Sequence, residues 1–239
     1  MLAPEIWVLF LFLLRFEELS MKNNKVRYMT TVGMLSAIAY IFTVIGHFVP
    51  IQFNDFLKYD PKDAVIVIAG FALGPLASLI ISVIVALLEL VSISTTGLIG
   101  FLMNVLSSVT FACVASLVYK FRKTLGGAVV GLVLSSALTV GAMVLWNYLV
   151  TPVYMGVPRE VVAGMILPVF LPFNIIKCGL NLALVMLIYK PSVQAMRHAG
   201  LLKPSTGVKR TNGTGTSVLV AVSSSIIIGA MIALFIILG

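Results

Sequence analysis

Residues 165–189 read MILPVFLPFNIIKCGLNLALVMLIY, an apolar run long enough to cross a bilayer that nevertheless carries Asn174 and, three residues on, Lys177. About 20 apolar residues in a helix span the hydrocarbon, and a lysine or an acid at mid-membrane costs about 2.5 kcal/mol or more to insert. Such a group faces an internal cavity, pairs with a charge of opposite sign, or holds a polar ligand. Glu89, inside the apolar run that ends near Leu90, raises the same question.

The remainder of the chain shares this character. Hydrophobic residues make up 60% and charged residues 10% of the 239 positions, with mean hydropathy +1.13, a surface that no soluble domain of this size tolerates. Windows of about 20 apolar residues predict spans near 29–49, 63–74, 76–93, 97–119, 126–150, 165–189 and 217–238. The fold class is thus an all-α integral membrane protein, six core helices followed by an additional C-terminal hydrophobic helix. The second span is short and ends at Gly74-Pro75, which divides 63–93 into two closely joined helices. The domain reading is an N-terminal extension over 1–26, a membrane domain over 27–190, a basic and Gly/Thr/Ser-rich linker over 191–216, and the extra helix over 217–239. That last helix is expected to be loosely attached and peripheral to function. The apolar start lacks the basic region of a secretory signal; it reads either as an upstream start preceding Met21-Lys-Asn-Asn-Lys25 or as a short apolar helix over 4–16.

Basic residues report orientation, because short cytoplasmic loops are enriched in Lys and Arg. Lys22, Lys25 and Arg27, then Lys120, Arg122 and Lys123, then Lys190, Arg197, Lys203, Lys209 and Arg210 all fall on one side of the predicted topology. Lys58, Lys62 and Arg159 fall on the other, accompanied by Asp55, Asp60, Asp63 and Glu160. The core N-terminus is expected in the cytoplasm of a multi-pass cell-membrane protein. Topology accounts for the net charge of +8, which leaves no call for nucleic acid.

With that topology, a rise of about 1.5 Å per residue puts Glu89, Asn104, Asn147, Asn174 and Lys177 in the outer half of four helices. Asn174 and Lys177 share a helix face, and Pro168 and Pro172 before them kink the helix toward a cavity. Each asparagine has an alternative role as an interhelical hydrogen bond, and Lys177 has one as a salt bridge to Glu89. Trp146 and Tyr148 read either as interface anchors or as stacking walls. Cys113 and Cys178 are unrelated in position and read as packing, and His47 and His198 make a poor metal site. No metal, no catalytic constellation and no phosphate-cradling loop is legible, so the chain is not read as an enzyme. In the first span, Gly33-Met-Leu-Ser-Ala37 is a small-x-x-x-small element, with Ser36 and Ala39 extending a smooth surface for a neighbouring helix.

Phe56-Leu-Lys-Tyr-Asp60-Pro-Lys-Asp63, Ile68-Ala-Gly-Phe-Ala-Leu-Gly-Pro75, Leu87-Leu-Glu-Leu90, Gly100-x-x-x-Asn104, Asn147 and Asn174-Ile-Ile-Lys177 together resemble the substrate-binding S components of energy-coupling factor (ECF) vitamin transporters, most closely the riboflavin-specific type. The resemblance covers 27–190. It implies a six-helix protein that binds riboflavin from outside as a transported ligand, with no cofactor. Its partners would be a membrane coupling subunit (EcfT type) and two cytoplasmic ATPases, which supply the energy. It further implies that Gly33 and Ala37 meet the coupling subunit, and that the first loop, with Leu57, Lys58 and Tyr59, covers the pocket. Two features depart from the family pattern, Asp63-Ala-Val65 where Asp-x-Pro is common, and the helix beyond the sixth. The competing readings are an S component for thiamine or a pyridoxine derivative, and an ion-coupled transporter that uses Glu89 and Lys177 as a relay; the latter calls for internal repeats, which the sequence does not display.

Overall fold

The computed structural model describes residues 25–48, 52–53, 57–198 and the four positions 224, 225, 228 and 229. Helix α1 runs Lys25–Phe48, followed by the two-residue strands β1 (Gln52–Phe53) and β2 (Leu57–Lys58), paired antiparallel with Gln52 opposite Lys58. Then come α2 (Lys62–Leu73), α3 (Pro75–Ser92), α4 (Gly97–Phe121), α5 (Leu125–Met155) and α6 (Arg159–Met165). A π turn (Ile166–Phe170) joins α6 to α7 (Leu171–His198). Among the described residues the bundle is all-helical apart from this small hairpin. The N-terminal segment 4–16 and the linker 199–216 lie outside the described residues.

Among the described residues, five stretches are long and apolar enough to span a membrane: α1, α3, α4, α5 and Arg159–Ser192. Helix α2 is different. Its 12 residues rise only about 18 Å, and every residue from Lys62 to Gly70 is buried. A helix apolar all round belongs in an interior, and α2 packs against α1, α3, α4 and α7. The break expected at Gly74-Pro75 is present: Gly74 has φ 103°, a conformation that favours glycine, and Pro75 opens α3 with a nitrogen that needs no helical partner.

Other boundaries shift outward from the hydropathy windows. Helix α5, expected over 126–150, continues through Pro152 and stops at Gly156, whose left-handed φ of 66° caps it. The last core helix, expected over 165–189, begins at Arg159 and continues past Pro191 to His198, so the first part of the expected linker is helical. Polar flanking residues can extend a helix into water without registering in a hydropathy window.

Side chains on the outside of the bundle are large and apolar, as lipid contact requires: Ile41 is 54% exposed, Val130 57% and Leu145 58%. Inside, small residues bring the helices together. A Cβ on Gly131 would meet the Ala115 carbonyl oxygen at 2.8 Å, and one on Gly70 would meet the hydroxyls of Ser78 and Ser116 at 1.9 Å. Those two hydroxyls are hydrogen-bonded to each other at 3.1 Å. Phe71 stacks on Tyr119 at 4.3 Å, and the hydroxyls of Tyr119 and Tyr189 are hydrogen-bonded.

Candidate ligand-binding site

The hydrogen bonds missing at Pro168 and Pro172, which have no N–H to donate, fall where the helical chain widens into the π turn. Such turns re-aim the residues that follow. Phe173, Asn174 and Lys177 all line a cavity of about 320 Å³, within the range of small-ligand sites. Glu89 from α3, Asn104 from α4 and Asn147 from α5 line the same cavity. The five polar residues expected in one layer are thus brought together from four helices. Thr43, Gly46 and His47 of α1, Met103, Met143 and Tyr154 add to the wall with Tyr59 and Asp60 of the first loop, and the turn from Ile93 to Thr96 and Ser107 line it as well.

The hydrogen bonds define what each amide has left to offer. Asn147 Nδ2 donates to the Met143 carbonyl at 2.8 Å, while its Oδ1 accepts from Thr151 Oγ1 at 2.9 Å. Asn174 Nδ2 donates to the Phe170 carbonyl at 2.7 Å. Both carboxamides are therefore fixed on their own helices by i, i−4 bonds, and since each NH₂ carries two donors, each keeps one for the cavity. Asn104 lines the cavity half-buried.

Lys177 and Glu89 do not pair, contrary to the salt bridge weighed from sequence. Lys177 Nζ donates to Ser107 Oγ at 3.3 Å and stands 3.6 Å from Asp63 Oδ2. The Asp63 contact is long for a hydrogen bond. An ammonium has three donors, so a ligand acceptor can be met without displacing either neighbour. Glu89 instead accepts from Lys62 Nζ at 2.7 Å, and the same ammonium lies 2.6 Å from Asp60 Oδ2. Asp60 Oδ1 also accepts from the Lys62 backbone N–H at 3.0 Å, an Asx-type turn that ties the loop to the start of α2.

Sequence reasoning treated Lys62 and Asp63 as balanced charges on the outer side. In the structure they are 2% and 1% exposed, because α2 lies at the centre of the bundle. Asp63 accepts from Ser108 Oγ at 2.5 Å and from Asn181 Nδ2 at 3.5 Å, and Asn181 Oδ1 accepts from the Tyr59 hydroxyl at 2.9 Å. A continuous polar relay thus runs from Tyr59 through Asn181 and Asp63 to Lys177. Burial first, then the Asp63 and Asp60 charges, raise the Tyr59 phenol's pKa, which keeps it a donor. The legible signal was Asp60-Pro-Lys-Asp63 abutting an apolar run too short to span the membrane alone.

Of the loop residues expected to cover the pocket, Tyr59 is buried and lines it; only the backbone of Leu57 and Lys58 is described, in β2. The loop lies close on α1, where a Cβ on Gly46 would stand 3.0 Å from Pro61 Cδ and 3.2 Å from the Tyr59 carbonyl oxygen. Tyr148 is 39% exposed, with the Arg159 guanidinium 5.5 Å from its ring centroid, and Trp146 is not among the residues lining the cavity; neither forms a stacking wall. Gly33 and Ala37 are exposed, as expected, but Ser36 and Ala39 are buried. With about 100° between successive residues, Ser36 and Ala39 turn inward and do not extend that surface. Cys113 donates to the Pro75 carbonyl and Cys178 is buried, both packing roles. Among the described residues no group of His, Cys, Asp and Glu could hold a metal ion.

The family described as "ECF transporter, substrate-specific component" matches residues 27–189. The chain belongs to that family. It is 28% identical over 182 residues to "Riboflavin transporter RibU" of Staphylococcus aureus (strain TCH60), covering 72% of this chain and 91% of that protein. It is likewise 28% identical over 192 residues to "Riboflavin transporter FmnP" of Bacillus subtilis (strain 168), covering 73% and 98%. A solved structure described as "Structure and mechanism of the S component of a bacterial ECF transporter" superposes with a TM-score of 0.62 at 26% identity, covering 73% of this chain and 99% of that one. The protein is therefore a multi-pass membrane protein and a substrate-specific ECF component, a transporter part whose family role is binding.

Proposed function

We propose that this S component binds riboflavin from outside the cell and delivers it through a membrane coupling subunit driven by two cytoplasmic ATPases. The observation that carries the reading is the convergence of Glu89, Asn104, Asn147, Asn174 and Lys177 on one cavity with thioether and aromatic walls. A flat heterocycle whose edge carries carbonyl and imide groups, attached to a polyhydroxyl tail, suits that set of donors and acceptors. Asn174 and Lys177 are assigned to the ring edge, and Asn104, Asn147 and Glu89 to the tail hydroxyls. The names of the two riboflavin-transporting relatives support the choice of ligand. The charge bias of the loops supports a cytoplasmic N-terminus for the core.

Titration of the purified chain with riboflavin should quench flavin fluorescence at one ligand per protein. Saturable binding of thiamine or pyridoxine with no flavin quenching would replace the proposed ligand. The coupling surface is assigned to Gly33 and Ala37, where a Cβ on Gly33 meets nothing within 4 Å and a partner helix can approach closely. Gly33→Trp should leave riboflavin binding within about twofold and abolish ATP-dependent uptake. Normal uptake by that variant would disprove the surface assignment.

A further inference from the structure

The charges around the cavity divide unequally between the two buried lysines. Lys62 Nζ takes both Asp60 and Glu89, at 2.6 and 2.7 Å. Lys177 is left with Asp63, whose Oδ2 lies 3.6 Å from its Nζ, and among the described residues no other carboxylate comes within salt-bridge distance of it. The two partners stand differently toward the cavity. Lys177 lines it and Asp63 does not, so Asp63 reaches a ligand only through the lysine.

The Asp63 carboxylate is itself fixed by neighbours on two other helices. Its Oδ1 accepts from Ser108 Oγ at 2.5 Å and its Oδ2 from Asn181 Nδ2 at 3.5 Å, while α2, which carries it, is buried from Lys62 to Gly70. The supports come in pairs. Ser107 and Ser108 are adjacent on α4, one bonded to the lysine and the other to the carboxylate. Lys177 and Asn181 are one turn apart on α7 and approach the same carboxylate oxygen. A lysine stem is flexible over four carbons, and a partner held this firmly restricts it before any ligand arrives, which strengthens binding by pre-organisation.

We infer that Asp63 is a positioning residue for the ligand site: it anchors the Lys177 ammonium so that the donor not used by Ser107 or Asp63 is presented to the cavity. The effect on affinity rests on the riboflavin reading, whereas the pairing of Asp63 with Lys177 does not.

A double-mutant cycle on the full chain tests both. Asp63→Asn keeps the shape and the neighbours but removes the charge; it should weaken riboflavin binding about tenfold, the scale of one hydrogen bond to a charged group. In the Lys177→Ala background the same change should alter affinity by less than about twofold, because the two residues act as one unit. A carboxylate that merely stabilised the fold would weaken binding equally with or without the lysine, and that result, or an unchanged affinity in Asp63→Asn alone, overturns the positioning role. If Asp63→Asn does not fold, Ser108→Ala takes its place: a loss of about threefold that vanishes in Lys177→Ala supports the role, and an unchanged affinity or an equal loss in both backgrounds overturns it. Melting temperatures of the ligand-free variants give the second readout. Asp63→Asn should lower that of the native chain, where it strands an ammonium, and leave that of Lys177→Ala no lower; equal lowering in both overturns the pairing, whatever the ligand. Coupled melting in a chain that quenches no flavin upholds the pairing and overturns the riboflavin reading instead.

Discussion

The cavity end of the bundle and the end that carries Phe71, Tyr119 and Tyr189 are built from the same apolar helices but close in opposite ways. Around Gly70, Ser78 and Ser116 the backbones approach until a single methyl would collide; the space is filled and the few hydroxyls satisfy each other. Around Lys62, Asp63 and Lys177 every charge is held by a neighbour, and Lys177 lines the cavity with a donor to spare. Small residues close one end without space to spare, and held charges stand beside a cavity at the other. Stability should therefore be sensitive at one end and binding at the other, with Lys62 the residue where the two meet.

Substitution at that meeting point should have the largest effect. Lys62→Met leaves Asp60 and Glu89 facing each other without a cation, at a cost of about 3 kcal/mol; thermal unfolding in detergent should show a sharply lower melting temperature. Lys177→Ala should lower riboflavin affinity about 100-fold, about 3 kcal/mol for a charged hydrogen bond in a dry site, while the melting temperature moves little. If both quantities fall together, the division between the two ends is wrong. Gly70→Val should cost about 2 kcal/mol through overpacking, read as a lower melting temperature, with the affinity of the surviving folded protein within about twofold of the original. Tyr119→Phe should have the smallest effect, about 1 kcal/mol for one hydrogen bond, and none on the ligand. A changed dissociation rate in Tyr119→Phe would show that the two ends communicate.

Part of this contrast was legible beforehand. Asn104, Asn147, Asn174 and Lys177 were identifiable because polar groups in bilayer-length runs are expensive, and their depth followed from span direction and helical rise. Glu89 was identified for the same reason, but the salt bridge weighed for it as an alternative names Lys177 where Lys62 is the partner, since sequence separation says nothing about which of two cations lies nearer. The burial of Lys62 and Asp63 was missed because charges beside a loop look solvated until the helix they begin is known to be central. Ser36 and Ala39 were placed on an outer surface for a related reason: small residues pack equally well inward or outward, and only the rotation of α1 decides.

By itself the sequence determined that the chain lives in a membrane, where it breaks between helices, and which uncommon polar side chains require a reason to be there, because bilayer thickness and the cost of burying charge act locally along the chain. Tertiary structure alone decided the pairing of Lys62 with Glu89 and the relay from Tyr59 through Asn181 and Asp63 toward Lys177. Those depend on side chains many positions apart meeting at distances of a few ångströms, which is set by how helices rotate and pack rather than by their order.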